Sequence, residues 1–171
     1  VVVRPPDINH SDWDCTLEAL PDTAGPRATP QGGGRFAVRL GLRQIKGLSE
    51  VTAARLMAAR ETGRAFESVE DLARRAGLAR AEVDRLAGGD AFSSLNTARR
   101  EAGWRALALS GPDLPLFEAG GGERARVPDV SGSALPSMRL SEEVAADYSS
   151  LALSLKAHPM AFLRRRFHRL G

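Results

Sequence analysis

The residues best suited to chemistry in this sequence form a short turn, Lys46-Gly47-Leu48-Ser49. Glycine can adopt the positive φ that a sharp reversal requires, and serine is a favoured N-cap for a helix that follows. The first N–H groups of a helix have no partner inside it, and the positive end of the helix dipole lies among them. The turn is therefore predicted to bind an anion such as a phosphate group.

The residues around this turn would complete the same contact. Backbone N–H groups from Gly47 to Glu50 would hold the phosphate, Lys46 and Arg43 would add positive charge, and Thr52 would add a hydroxyl group. The predicted binding residues are Arg43, Lys46, Gly47, Leu48, Ser49, Glu50 and Thr52. A helical hairpin packed inside a core would give the same local pattern, so from these residues alone both interpretations stay open.

Clustered carboxylates, which hold the metal ions of phosphoryl transfer, are not found in the sequence. Asp7 stands beside prolines, and Asp12 and Asp14 lie on an alternating run that favours exposed strand positions. No cysteine or second histidine stands close enough to any of the 3 histidines to predict a metal site. We therefore expect no catalytic residue, metal or cofactor in this chain, and we expect it to be inactive alone.

Length and composition exclude other classes of protein. A chain of 171 residues can bury a core, and its single cysteine, Cys15, forms no internal disulfide, which suits a reducing cytoplasm. No apolar run is long enough to cross a membrane, and no charged segment followed by an apolar one is seen, so we expect a chain that is neither exported nor inserted in a membrane. The chain starts with Val1 rather than methionine, so we expect a piece of a longer protein.

Charge is distributed unevenly along the chain. Between Arg27 and Arg64, 8 basic residues stand against Glu50 and Glu61, an excess of +6 within a chain whose net charge is +3. A basic region around a phosphate-binding turn is the expected electrostatic footprint of nucleic-acid binding. A solvated arginine-rich face would look the same.

The elements that must position the turn follow from periodicity. Two alternating runs, 13–17 and 36–42, are joined by a loop rich in proline and glycine and predict an antiparallel strand pair. After the turn, apolar residues at helical spacing predict the buried face of a helix. These residues are Val51, Ala54, Met57 and Ala58.

A second helical hairpin is predicted further along the chain. Ser68 would cap its first helix, Ala76-Gly77-Leu78 would form its turn, and its second helix would run to Gly88-Gly89. Because this turn has no lysine, we interpret the second hairpin as structural. A further helix follows as far as Leu109, and two more helices lie near the C-terminal end.

These patterns resemble two known families. The turn with its flanking helices resembles the helix-hairpin-helix motif, although Ser49 stands where that motif has its second glycine. Five landmarks in order resemble the C-family bacterial DNA polymerases, the family of the polymerase III alpha subunit, and look closest to its error-prone, damage-tolerance branch. They are Pro6–Ser11, Leu40–Gly47, Ala65-Phe66 with Asp71-Leu72, Gly89–Phe92 and Leu153–Met160.

The resemblance implies a mainly α fold with a small antiparallel β element, in which a tandem helix-hairpin-helix domain is followed by a linker and C-terminal helices. Residues 1–34 would end the fingers region of the polymerase and add a loop, and 35–110 would form the DNA-binding domain. Residues 111–140 would be a flexible linker, and 141–171 a helical segment leading to an oligonucleotide-binding domain.

The resemblance also implies a function. This chain would bind duplex DNA without sequence preference in an error-prone polymerase of translesion synthesis and DNA repair, whose catalytic residues and Mg²⁺ lie elsewhere. A clamp-binding peptide is expected at Asp113-Leu114-Pro115-Leu116-Phe117, although such peptides generally begin with glutamine rather than aspartate. The expected partners are double-stranded DNA, the sliding clamp and mutasome accessory proteins, and no membrane.

Two other functions stay open at this stage. The chain could be a protein-interaction module that tethers the polymerase to the sliding clamp or to mutasome partners, with negligible DNA binding. It could also be a separate helix-hairpin-helix protein, such as a nuclease accessory subunit. Salt-sensitive binding to duplex DNA would distinguish the DNA-binding function from the protein-interaction function.

Overall fold

The computed structural model describes residues 2–20, 36–109 and 135–167, and it confirms a mainly helical fold with a small β element. Two short 3₁₀ turns, Leu42–Gln44 and Ser93–Leu95, separate some of the longer elements. The strands and helices of the described residues are β1 Val2–Arg4, β2 Thr16–Ala19, β3 Phe36–Arg39, α1 Glu50–Glu61, α2 Val69–Ala76, α3 Arg80–Gly88, α4 Arg99–Ala108, α5 Leu140–Leu151 and α6 Met160–Phe167.

The three strands form one sheet in the order β1-β3-β2. Strand β2 pairs antiparallel with β3, as predicted, but it begins at Thr16, so only the last two residues of the predicted run 13–17 lie in the strand. Strand β1 pairs parallel with β3, so the sheet is mixed rather than purely antiparallel. Arg39 of β3 is buried, and its guanidinium is neutralised by Glu18 of β2 at 2.7 Å.

The segment after β1 connects distant parts of the chain. The Asn9 side chain accepts a hydrogen bond from the Phe66 N–H group at 2.7 Å and donates one to the Phe66 carbonyl at 3.0 Å. The Ser11 hydroxyl donates to the Leu40 carbonyl at 2.7 Å. These bonds explain why the Pro6–Ser11 landmark is a feature of the fold: it holds β3 and the chain before α2 together.

Asp7 is the one buried carboxylate in this segment, and both of its oxygens accept hydrogen bonds from within the fold. It accepts hydrogen bonds from the Asn9 and Ser94 N–H groups and from the Ser93 hydroxyl, each at 2.8 Å. Burial by itself would raise the pKa of Asp7, but the hydrogen bonds from His10, Ser93 and the two amides outweigh it and lower that pKa. Asp7 therefore stabilises the fold as a carboxylate.

Helices α1 to α4 enclose one apolar core, and α5 packs against α3. Phe92 is buried in this core. Other fully buried members are Ile8, Leu42, Ile45, Leu56, Phe66, Leu72 and Leu86. Among the helices that the structure describes, none is both long and apolar enough to cross a membrane.

Helix α5 is joined to the hairpin helices by polar contacts as well. Asp147 of α5 and Arg99 of α4 form a buried ion pair, and Leu151 of α5 lies in the core. The Ser150 carbonyl accepts a hydrogen bond from the Lys46 N–H group at 2.8 Å. The C-terminal part of the chain therefore supports the turn that carries the predicted phosphate site.

Candidate nucleic-acid interface

The predicted reversal at Gly47 is present. The Leu48 N–H group donates to the Ile45 carbonyl at 3.1 Å, and Gly47, at the third position of this turn, has a φ of 79°. A type II turn requires a positive φ at that position, which favours glycine. The element before the turn is a single 3₁₀ turn, Leu42–Gln44, so the first helix of the hairpin is very short.

Ser49 caps α1 as the sequence predicted. Its backbone is extended, and its hydroxyl oxygen accepts a hydrogen bond from the Thr52 N–H group at 3.1 Å. Among the described residues, the N–H groups of Gly47, Ser49, Glu50 and Val51 have no acceptor. All four residues are exposed, so these N–H groups and the positive end of the α1 dipole are available to an anion from solvent.

The buried face of α1 differs from the predicted one. Val51 is 70% exposed, and Ala54 and Ala58 are also exposed, so this part of the prediction is wrong. Thr52 and Leu56, with Ala53, are the buried residues of the helix. The physical reason is that Thr52, although polar, is buried, because its hydroxyl finds a hydrogen-bond partner inside the protein.

The polar groups of Thr52 and Leu48 form hydrogen bonds within the fold. Thr52 is 3% exposed, and its hydroxyl donates to the Glu82 carboxylate at 2.5 Å. The Leu48 side chain is buried, and its N–H group closes the turn. Neither residue offers a free polar group to a phosphate in this structure, and they position the turn instead.

The two predicted cations have different surroundings. Arg43 is paired with Asp14 at 2.5 Å, and both side chains are exposed. Lys46 is exposed and forms no ion pair with any residue that the structure describes. Lys46 is therefore the more available positive charge at the turn, and Arg43 would have to exchange a carboxylate for a phosphate.

Carboxylates neutralise most of the basic stretch that the sequence predicted as an electrostatic footprint. Six of the eight basic residues between Arg27 and Arg64 lie within the described part of the chain, and every one except Lys46 is paired with a carboxylate. The pairs are Arg39 with Glu18, Arg43 with Asp14, Arg55 with Glu82, Arg60 with Asp12 and Arg64 with Glu67. The local excess of positive charge is thus mostly neutralised by carboxylates from elsewhere in the sequence.

One cation at the turn was missed by sequence reasoning. Arg85 of α3 is exposed and forms no ion pair within the described ranges, and its side chain lies against Gly47. A Cβ atom placed on Gly47 would lie 3.3 Å from Arg85 Nε. No local pattern in the sequence indicates this contact, because it depends on how the second hairpin packs against the first.

The second hairpin also reverses at a glycine with positive φ, Gly77 at 60°. Its helix α3, however, begins differently: the Glu82 carboxylate accepts a hydrogen bond from the Ala79 N–H group at 2.7 Å. The same carboxylate accepts from Thr52 and is paired with Arg55. An internal carboxylate therefore lies at this helix start, where the N–H groups of Arg80 and Ala81 have no acceptor among the described residues.

The pKa of Glu82 reflects these contacts. Burial raises it, but hydrogen bonds from Thr52, the Ala79 N–H group and Arg55 lower it by more, so the pKa of Glu82 lies below its ordinary value. Glu82 is therefore a carboxylate at neutral pH, and its negative charge opposes the binding of a second anion at this turn. This geometry agrees with the interpretation of the second hairpin as structural.

The hairpin region is similar in sequence to a known family. Residues 1–102 match a family model described as the helix-hairpin-helix motif. The chain belongs to this helix-hairpin-helix family. The match covers the sheet, both hairpins and the start of α4.

The whole chain, and not only residues 1–102, is similar to part of several longer proteins. The chain is 44% identical to an error-prone DNA polymerase of Sinorhizobium medicae over 183 residues, which cover 100% of the chain and 16% of the relative. It is 46% identical to error-prone DNA polymerase 1 of Agrobacterium fabrum, over 99% of the chain and 15% of the relative. An error-prone DNA polymerase of Methylococcus capsulatus is 40% identical over 100% of the chain and 16% of its own length.

These relatives confirm the resemblance to the error-prone branch of the bacterial DNA polymerases that the five landmarks predicted. The helix-hairpin-helix chain spans about 16% of the length of the curated relatives it matches. In the described part of the chain, no group of three or more histidine, cysteine, aspartate or glutamate residues could hold a metal ion. The predicted clamp-binding peptide, Asp113–Phe117, lies outside the described residues.

Proposed function

We propose that this chain is the non-sequence-specific duplex DNA-binding region of an error-prone DNA polymerase that acts in translesion synthesis and DNA repair. One observation carries the proposal: the open turn at Gly47 lies in a chain whose whole length aligns with error-prone polymerases. Four exposed N–H groups without an acceptor in the described residues, next to the unpaired Lys46, form a receptor suited to a backbone phosphate.

The binding mechanism uses the backbone more than the side chains. N–H groups of Gly47, Ser49, Glu50 and Val51 would donate to phosphate oxygens, and Lys46 would neutralise the charge. Contacts of this kind fix the position of a duplex without reading its bases. A polymerase that must hold any template behind its active site needs this kind of contact.

Catalysis belongs to the rest of the proposed polymerase. The complete protein would be a DNA-directed DNA polymerase, a nucleotidyltransferase that uses Mg²⁺ held by carboxylates outside this chain, and it would act in the cytoplasm. The chain itself would bind DNA and be inactive alone. The duplex that leaves the active site would be its ligand.

Fluorescence anisotropy with a labelled short duplex tests the proposal. The 171-residue chain is titrated into two duplexes of unrelated sequence, at about 50 and 200 mM salt. We expect the same affinity for both sequences and weaker binding at the higher salt concentration, with a slope of roughly 0.9 per phosphate neutralised. Failure to bind at low salt, or a strong preference for one sequence, would overturn the proposal.

The sequence of Asp113–Phe117 supports a separate proposal, contact with a sliding clamp and through it with mutasome accessory proteins. Leu116 and Phe117 would act as apolar anchors in a pocket on the clamp. Changing both residues to alanine should abolish binding to purified clamp and leave duplex affinity unchanged. If clamp binding persists in that variant, the peptide is not the contact.

A further inference from the structure

We propose that the phosphate site is built from both hairpins, with Arg85 of α3 as a DNA-contacting residue. The inference rests on the proposed function, since it names a further residue of the same site. The observation behind it is the position of the Arg85 side chain along the turn at Gly47.

The outer part of the Arg85 side chain follows the surface of the turn. A Cβ atom on Gly47 would lie 3.3 Å from Arg85 Nε, 3.6 Å from Cδ and 3.9 Å from Cζ. Glycine therefore has two functions at this position: it allows the positive φ of 79°, and it leaves the space in which the guanidinium lies against the backbone. A Cβ atom at this position would press on Arg85 Nε, which would have to shift by a few tenths of an ångström.

Packing between the hairpins fixes Arg85 relative to the turn. A Cβ atom on Gly89 would lie 2.9 Å from Ile45 Cδ1, so the end of α3 is in close contact with the residue that begins the turn. The Gly89 N–H group donates to the Arg85 carbonyl at 3.0 Å, which connects this contact to the last turn of α3. The backbone of Arg85 is thereby held at one distance from Gly47.

Arg85 is a cation without an ion-pair partner in the described ranges, so its charge is available to a phosphate at the turn. Arg55, which connects α1 to α3, is neutralised by Glu82 and also donates to the Gly77 carbonyl. Arg85 and Lys46 form no ion pair within the described ranges, and both are exposed beside Gly47. A phosphate at the turn would therefore meet a cation from each hairpin.

The two cations offer different chemistry. A lysine ammonium is a compact point charge, whereas an arginine guanidinium is a planar group that can donate two parallel hydrogen bonds to phosphate oxygens. Arg85 would donate hydrogen bonds to oxygens on one side of the phosphate group, and the N–H groups of α1 would donate to oxygens on the other side. Arg85 is thus a binding residue that local sequence patterns around Gly47 do not include.

Duplex binding by the full chain and its variants tests this inference. Arg85→Gln should weaken binding about fivefold at about 100 mM salt and lower the salt slope by about one, because one phosphate contact is lost. Arg85→Lys should lie between Arg85→Gln and the unmodified chain, because it keeps the charge but loses the planar donor pair.

Arg64→Gln is the matched control. It removes the same charge, but Arg64 lies beyond the far end of α1, roughly 17 Å along the helix from the turn. It should change affinity by less than about twofold, since exposed charges at that distance are largely screened. Urea unfolding of each variant shows whether the fold is retained.

The outcomes separate this inference from the proposed function. Lys46→Gln is measured alongside: if it weakens binding and Arg85→Gln does not, Arg85 is not a contact, but the DNA-binding function stands. If neither variant changes affinity, the phosphate does not bind at the Gly47 turn and the inference fails, whereas the proposed function fails only if the unmodified chain does not bind the duplex. Two results would overturn the inference, because Arg85 would then only shape the turn. One is weaker duplex binding by Arg85→Gln with an unchanged salt slope. The other is a loss of folding stability in Arg85→Gln that accounts for the weaker binding.

Discussion

Both hairpins reverse the chain at a glycine with positive φ, Gly47 at 79° and Gly77 at 60°, and both place a helix start directly after the turn. They differ at the third residue of the second helix. In α1 this residue is Thr52, whose side chain is buried, whereas in α3 it is Glu82, whose carboxylate accepts the Ala79 N–H group. We call the first helix start open, because no carboxylate of the described residues accepts from its N–H groups, and the second closed, because the Glu82 carboxylate lies at it.

This difference shows that a glycine turn before a helix is not enough to make an anion site. N–H groups without an acceptor among the described residues are found at both helix starts, those of Arg80 and Ala81 at the second, but there the Glu82 carboxylate places a negative charge beside them. Glu82 also receives the Thr52 hydroxyl and pairs with Arg55, so the closed hairpin supports the open one. In the proposed function, the second hairpin stabilises the fold and the first hairpin binds the phosphate.

The largest expected effect comes from removing the carboxylate that closes the second hairpin. Glu82→Ala should lower the free energy of unfolding by about 3 kcal/mol, because the buried Thr52 hydroxyl and the Ala79 N–H group lose their acceptor. Urea unfolding measures this change. Glu70→Ala, an exposed residue of α2, is the control and should cost less than about 0.5 kcal/mol. Equal losses in the two variants would contradict the role assigned to Glu82.

Reversing one charge at each turn tests the comparison through binding. Lys46→Glu should weaken duplex binding roughly thirtyfold at low salt, since it places a negative charge beside the phosphate receptor. Arg80→Glu, at the start of α3, makes the same charge reversal in the closed hairpin and should weaken binding by only about threefold. Fluorescence anisotropy measures both. If Arg80→Glu is as damaging as Lys46→Glu, the second hairpin binds DNA too.

The pH dependence of stability should carry the signature of the closed hairpin. Because the pKa of Glu82 is lowered in the folded state, its stabilisation is complete above its unfolded value of about 4.5 and is lost as the pH falls through the folded value. Asp7, whose pKa is also lowered, adds to this acid loss. Glu82→Gln should therefore flatten the dependence of unfolding free energy on pH below about 4.5. An unchanged acid slope in this variant would count against the carboxylate.

The smallest expected effect concerns the acid at the open turn. Glu50 is the first residue of α1 and is exposed, so its carboxylate repels a phosphate bound at the neighbouring N–H groups. Glu50→Gln should strengthen duplex binding about twofold. Glu61→Gln, at the other end of the same helix, is the matched control and should leave affinity unchanged. Weaker binding by Glu50→Gln would mean that the phosphate does not lie at this helix start.

The sequence predicted the features of the site that depend on local chemistry. The reversal at Gly47 and the cap at Ser49 follow from backbone preferences of single residues, and both are present. The antiparallel pair β2 and β3 follows from alternation and the intervening turn residues. Alternation did not identify the buried face, however: Ala37 is buried and Phe36 is 53% exposed.

Features that depend on distant partners could not be predicted in this way. Thr52 is buried because Glu82, 30 residues further along, accepts its hydroxyl. The basic stretch is mostly neutralised because its carboxylate partners come from other elements, as with Arg60 and Asp12. Arg85 reaches the turn only through the packing of one hairpin against the other, which no periodicity records.

The most direct test of the central claim is an NMR titration of the isotope-labelled chain with a short duplex, following the backbone amide signals. The account predicts that the N–H signals of Gly47, Ser49, Glu50 and Val51 shift or broaden first, while those from Ala79 to Glu82 stay nearly unchanged. Movement of the signals at the second turn with none at the first would contradict the claim that the open hairpin holds the phosphate.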